Sequence, residues 1–230
     1  MSYQLFLAYT TEGSTDIRFL SKIFERTISD ILFLYGNKDT EIVLKSYQKE
    51  GDNFVEQMIY VFKSCFIENS SEVLFIHADA DDITPNNTLE FKFKPLKNKL
   101  EASEEFKNFN FIEVIPVHMT EAWMLADFNL FKDEIKTDKS KSQLNLSGNP
   151  ETFTDPKKKI IDALYIVNSE LPKKRRNDLK IGDLYQIIGQ KLDIQQLLKL
   201  KSYEVFYKKT FEILKKINLI NYNEVLNLNL

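Results

Sequence analysis

Four short apolar runs, each followed by a segment whose apolar residues return at three- and four-residue steps, constrain the fold of this chain more than any other feature. The first run, YQLFLAY at 3–9, is rich in aromatics and ends at Thr10, Thr11 and Gly13, which reads as a buried strand entering a turn. From Ser14 the period changes. Ile17, Leu20, Ile23, Phe24, Ile28, Ile31 and Leu32 mark one face of a helix, with Ser14 or Thr15 available to cap it. EIVLKSY (41–47) predicts a second strand, NFVEQMIYVFKSCF (53–66) a second helix, and EVLFIHAD (72–79) a third strand. After a polar loop through Pro85, PLKNKLEASEEF (95–106) predicts a helix and FIEVIPVH (111–118) a fourth strand. Such alternation predicts an α/β fold with a mostly parallel sheet flanked by helices.

Beyond the fourth strand the strand signal stops. TEAWMLADFNLF (120–131) reads as a helix with Ala122, Leu125, Ala126 and Leu130 facing inward and Trp123 in the core. Residues 136–156 are polar and broken by Gly148, Pro150 and Pro156, the composition of a linker or lid. Only helical patterns follow, over 157–169, 181–189, 193–200 and 203–217. The expected organisation is an α/β domain over 1–135, the polar segment over 136–156 and an α-helical C-terminal region over 157–230. A chain of 230 residues with 18 Phe and 10 Tyr can bury a sizeable core, which excludes a disordered protein.

Cys65 is the single cysteine, lies in an apolar helical pattern and reads as core; with no internal disulfide possible, a cytoplasmic location is expected. The N-terminal residues lack a basic leader pattern, and no run approaches the length of a membrane span, so no membrane partner is expected. The net charge of −3 conceals an asymmetry: residues 156–216 carry 15 Lys or Arg against 7 Asp or Glu, a net of +8 that leaves −11 elsewhere. A basic tail beside an acidic front suits a protein that handles phosphodiester polyanions, although solvated helix faces give the same count. Lys173, Lys174, Arg175 and Arg176 are the densest basic run and the candidate nucleic-acid contacts.

Ligands of parallel α/β sheets sit outside the carboxyl ends of the strands, and three acidic stations fall there. Glu12 and Asp16 follow the first strand in TEGSTD, Asp79, Asp81 and Asp82 follow the third in HADADD, and Glu121 follows the fourth. Glu12 and Asp16 would share one side of a helix that began by Gly13. Crowded carboxylates raise one another's pKa values or recruit a cation, and hard divalent ions such as Mg²⁺ or Mn²⁺ take oxygen ligands. Each acid has a plainer reading as a helix-terminus charge, and the Asp-Asp-Ile-Thr-Pro stretch as an Asx turn. His77, inside the third strand, reads as a structural histidine, and His118 as an auxiliary proton donor or substrate contact.

The pattern of Glu12-Gly13 after the first strand and Asp79-Ala80-Asp81 after a later apolar strand resembles the Toprim domain of topoisomerases, primases and overcoming-lysogenization-defect nucleases. The acid four residues after the glutamate, Asp16, resembles the nuclease branch. PVHMTEAWMLAD (116–127) is similar to a segment of small bacterial Toprim-like proteins of unknown function, often encoded beside ATPases in phage-defence loci. The likeness covers roughly residues 1–127 and implies a Toprim-like sheet and a Mg²⁺-dependent nuclease acting on DNA or RNA. It implies that Glu12, Asp16, Asp79, Asp81 and Glu121 hold metal, with Glu12, Asp79, Asp81 and Glu121 catalytic. A separate ATPase is an expected partner, since the chain has no Walker A loop of its own. Two alternatives stay open: a non-catalytic Toprim-like subunit of an ATPase complex, and a metal-dependent nucleotide-sugar transferase, in which Glu12-Gly13 would have no task.

Overall fold

The computed structural model of the protein describes residues 2–169 and 179–228. Strands β1 (Tyr3–Thr10), β2 (Thr40–Ser46), β3 (Val73–His77) and β4 (Asn110–Val114) form one all-parallel sheet in the order β2-β1-β3-β4. Side chains alternate between its faces. Leu5, Leu7, Tyr9, Phe75, Ile112 and Val114 enter one hydrophobic cluster, whereas Ala8, Leu74 and Ile76 enter another. Burial on both faces explains why these runs are continuously apolar rather than alternating with polar residues.

Helix α1 (Asp16–Tyr35) joins β1 to β2 and covers the first face, and α2 (Phe54–Phe62) covers the second. The chain steps from β1 to β2 in one direction, then returns across β1 to lay β3 on its other side. The carboxyl ends of β1 and β3 therefore flank the point where strand order reverses, which is where open α/β sheets form ligand crevices.

Several predicted elements differ in extent. The helix expected over 53–66 is α2 followed by a π turn at Lys63–Ile67. The one expected over 95–106 starts earlier, as α3 (Asn86–Thr88), a π turn (Leu89–Phe93) and α4 (Lys94–Glu101). That π turn ends two residues before Pro95, which cannot donate to the helical ladder. Strand β4 stops at Val114, two residues before Pro116, although hydrogen bonds to the β3 loop continue beyond it. Residues 120–131 form two helices, α5 (Glu121–Met124) and α6 (Phe128–Glu134), because Asp127 caps the second by accepting from the N–H groups of Asn129 and Leu130.

The C-terminal helices are α7 (Pro156–Ser169), α8 (Ile181–Lys191), α9 (Ile194–Leu197) and α10 (Lys201–Lys216). Helix α10 packs on the same sheet face as α1, with the Phe206 ring 5.6 Å from Phe24 and 5.8 Å from Phe75. Trp123 is fully buried against Tyr203, and its indole N–H donates to Ser202. The polar segment before α7 is anchored by buried Leu144, Leu146 and Phe153, and by Glu151, which accepts from the first N–H groups of α10. Cys65 is buried in the second cluster, and burial pushes its thiol up to about 12, as inert core packing requires. Among the described residues, no helix is long and apolar enough to cross a membrane.

Candidate functional site

The loop after β1 brings Glu12 and Asp16 together by a route the sequence did not suggest. Helix α1 begins at Asp16 rather than Gly13, so the two acids do not share a helical face. Instead Asp16 folds back, and its Oδ2 accepts from the Gly13 N–H at 3.0 Å. Glu12 reaches across to the β3 loop, where Oε2 accepts from the Asp79 N–H at 3.1 Å.

His77, at the end of β3 and 2% exposed, ties these loops together. Its Nδ1 accepts from the Glu12 N–H at 3.2 Å, which requires a lone pair there and places the ring proton on Nε2. From Nε2 the ring reaches Asp79 Oδ1 at 3.1 Å and Thr120 Oγ1 at 3.0 Å. With its proton on Nε2, the 3.9 Å approach of Nδ1 to Asp16 is a close contact and not an ion pair. The histidine is structural, as its strand position indicated, but what it structures is the acidic site. Asp79 Oδ1 also accepts from the Thr120 N–H at 3.0 Å, so this one carboxylate oxygen is engaged by both His77 and Thr120.

The Asp-x-Asp loop is held by backbone pairing. Ala80 N–H donates to Pro116 O, Asp81 N–H to His118 O, and His118 N–H to Asp82 O. Asp81 and His118 both occupy left-handed backbone conformations, with φ of 54° and 58°. Asp tolerates that conformation, and a His there is uncommon enough to mark a constrained turn. Asp82 is spent on the turn itself, accepting from the Ile83 N–H and the Asn87 amide. Thr88 pins the loop from below by donating to the carbonyls of Asp79 and Ala80.

Glu121 opens α5 and is buried, with its carboxylate accepting from the Tyr185 hydroxyl of α8. Lys157 of α7 stands 3.7 Å from the same oxygen. The helical C-terminal region therefore forms one wall of the site. Two further lysines approach Glu12: Lys92 lies 3.3 and 3.4 Å from its two carboxylate oxygens, and Lys49 donates to its backbone carbonyl at 3.3 Å.

Thr120, Lys49, Lys92, Lys157 and Tyr185 are the residues that sequence reasoning missed. Thr120 alone had a signal, lying in the PVHMTEAW stretch beside Glu121. Lys173, Lys174, Arg175 and Arg176 lie outside the described residues.

The electrostatics reflect crowding. Burial pushes the Asp16 carboxyl above the usual range, and Asp79 adds to this against the Gly13 N–H that it accepts from. Partial burial does the same to Asp81, reinforced by Glu12 and Asp79. Burial raises Glu121 despite the Tyr185 donor and Lys157. Burial and Glu121 raise Tyr185 in turn, so its hydroxyl stays a donor. Among the described residues, no three His, Cys, Asp or Glu side chains close into a coordination set. The donor chemistry nevertheless fits Mg²⁺, which keeps several waters and is bound through one or two carboxylates plus substrate phosphates rather than by a protein cage.

Fold and site together define an α/β protein whose parallel sheet presents clustered carboxylates at its carboxyl edge, beside the point where strand order reverses. The chain belongs to the family described as Domain of unknown function (DUF4276), whose sequence model matches residues 11–200. No curated protein and no solved structure matches the chain.

Proposed function

We propose that this protein is a Toprim-like, Mg²⁺- or Mn²⁺-dependent nuclease that hydrolyses phosphodiester bonds of DNA or RNA. The observation that carries the reading is the convergence of Glu12, Asp16 and Asp79 around His77, with Asp81 and Glu121 close enough to feel the charge of Asp79. Asp79 and Asp81 would hold the ion, Glu12 and Asp16 would complete its shell through bound water or move protons, and Glu121 would hold a second ion. Such an ion supplies charge stabilisation on a phosphoryl oxygen and a more acidic bound water.

The protein's own contributions follow from the hydrogen bonds. Thr120 and His77 hold the Asp79 carboxylate through Oδ1, so less rotamer freedom is lost when it binds an ion. Asp16, whose carboxyl burial holds above the ordinary carboxylate range, is placed beside Gly13 and His77 to take a proton. The basic run Lys173, Lys174, Arg175 and Arg176 would add backbone phosphate contacts, and a separate ATPase would supply any nucleotide-driven step.

The test is cleavage of single- and double-stranded DNA and structured RNA in Mg²⁺, Mn²⁺ or EDTA, with any ATPase encoded beside the gene included. Glu12→Gln and Asp79→Asn should each lose roughly 100-fold or more, and the double variant little beyond the worse single one, because the residues act as a unit. Folded single variants that cut like wild type would remove this site. One observation favours a second reading, a non-catalytic subunit: Glu12 is already engaged by Lys92 and the Asp79 N–H. A wild-type protein that cuts nothing, even with its ATPase, would establish that reading instead.

A further inference from the structure

We propose that the cleft between the β1–α1 and β2–α2 loops is a subsite for a phosphoryl group, with Lys49 as its cation and Lys92 as a second cation across Glu12. That the phosphoryl group belongs to a polynucleotide rests on the nuclease reading; the preference of the cleft for an anion does not.

The cleft has a volume of about 120 Å³ and is lined by Thr11, Gly13, Ser14, Tyr47, Gln48 and Lys49 among others. It opens at the carboxyl edge of the sheet, and Glu12 forms the wall it shares with the acidic site. Lys49 is half-buried there, and its ammonium donates to the Glu12 carbonyl at 3.3 Å. Among the described residues it makes no ion pair within 4 Å; Glu12 and Asp16 attract it from farther away, while burial and Lys92 disfavour its charge. Holding a long cationic side chain in a partly desolvated position, beside a second lysine and with no direct ion pair, costs rotamer entropy and hydration, and a bound anion offsets the lost hydration.

Lys92 supplies the other half of the arrangement. It sits in the π turn at Leu89–Phe93, an irregularity that recurs at functional sites, and faces both oxygens of Glu12. A lysine is a mobile point charge and not a planar fork, so it can leave a carboxylate for a neighbouring oxyanion without rebuilding the loop. Two ammonium groups approaching one acid from separate loops would hold an anion beside carboxylates that would otherwise repel it. A phosphoryl group, with several strong acceptor oxygens, can engage both cations at once.

The experiment uses the full-length protein, in EDTA and again with Ca²⁺, and two probes: inorganic pyrophosphate by calorimetry, and a fluorescent single-stranded oligonucleotide by anisotropy across a salt series. Lys49→Gln should weaken pyrophosphate binding about tenfold or more, as expected for loss of a charged hydrogen bond. It should lower the salt slope for the oligonucleotide by about 1, since one fewer counterion-releasing contact is made. Lys49→Arg should restore most of both. A merely structural lysine would change the melting temperature and leave the salt slope alone.

A folded K49Q protein with unchanged pyrophosphate affinity and unchanged slope overturns the proposal, as does a wild type that binds neither probe in either condition. If wild type and K49Q cut nucleic acid with the same KM, the subsite falls and the nuclease stands. If pyrophosphate binding is lost in K49Q while wild type cuts nothing, the subsite stands and the nuclease reading falls.

Discussion

At Gly13 an added Cβ would stand 2.9 Å from Asp16 Oδ2, closer than carbon and oxygen can approach without displacement. The obstructing atom is the end of a side chain, so Gly13→Ala should leave the fold intact, with a stability change within about 1 kcal/mol, while turning Asp16 away from the Gly13 N–H. A displacement near 1 Å in a catalytic group can cost about 100-fold, so if the protein is the proposed nuclease, cleavage should fall at least tenfold with little change in melting temperature. Equal rates in the two proteins would show that the position of Asp16 does not matter. That Glu12 and Asp16 both follow β1 was visible in TEGSTD, but the shared helix face expected of them was not formed and their common neighbour His77 was not foreseen, because helix start positions are the least certain part of a sequence reading. Thr120, Lys49 and Lys92 could not have been singled out: common residue types without a characteristic spacing acquire a role only when folding brings them to Glu12 and Asp79.

Helices α1 and α8 approach closely through Gly189, where a Cβ would meet the Phe19 carbonyl at 2.9 Å and the Phe19 ring at 3.2 Å. Here the obstacle is backbone and cannot swing aside. Gly189→Ala gains about 1 kcal/mol of helix propensity, but overpacking of this kind costs about 1–3 kcal/mol, so a net destabilisation is expected. Urea unfolding measures it, and a more stable variant would mean the helices have room to separate. Tyr185 lies one turn earlier on α8 and donates to Glu121, so under the proposed nuclease function the same variant should also reduce cleavage. Periodicity exposed α1, α2 and α10 because their apolar faces are long, whereas the break between α5 and α6 depends on a single cap, Asp127. The π turns left no periodic trace, since one inserted residue only shifts the phase of a helical pattern.

Across the described residues, the carboxylates whose pKa values are displaced fall into two groups with opposite pH behaviour. Glu113, buried on β4, is pushed upward by burial, but hydrogen bonds and attraction from Lys209 (2.8 Å) and Lys97 (2.5 Å) together outweigh this and hold it below the usual range. A depressed folded pKa stabilises the protein above the unfolded value, about 4.3, and that contribution disappears as pH falls through the folded value. Glu113→Gln should therefore lose about 1–2 kcal/mol at pH 7, discounted because both lysines are half-exposed, and the loss should shrink below about pH 4. Thermal unfolding over that range checks the sign; a loss that grows on acidification would contradict it. Asp16, Asp81 and Glu121 behave oppositely: with raised folded values they oppose folding at neutral pH, and protonation relieves them. The sequence alone determined the α/β alternation, the parallel sheet and the carboxyl-edge placement of the acids, because apolar periodicity and strand-to-helix order are local properties that survive in one dimension. Only tertiary structure decided the strand order that sets β1 beside β3, the joining of Glu12, His77, Asp79 and Thr120, and the packing of α7 and α8 that brings Lys157 and Tyr185 to Glu121. Those contacts join residues far apart in the chain, and nothing in the local sequence encodes which distant side chain will stand within 3 Å of another.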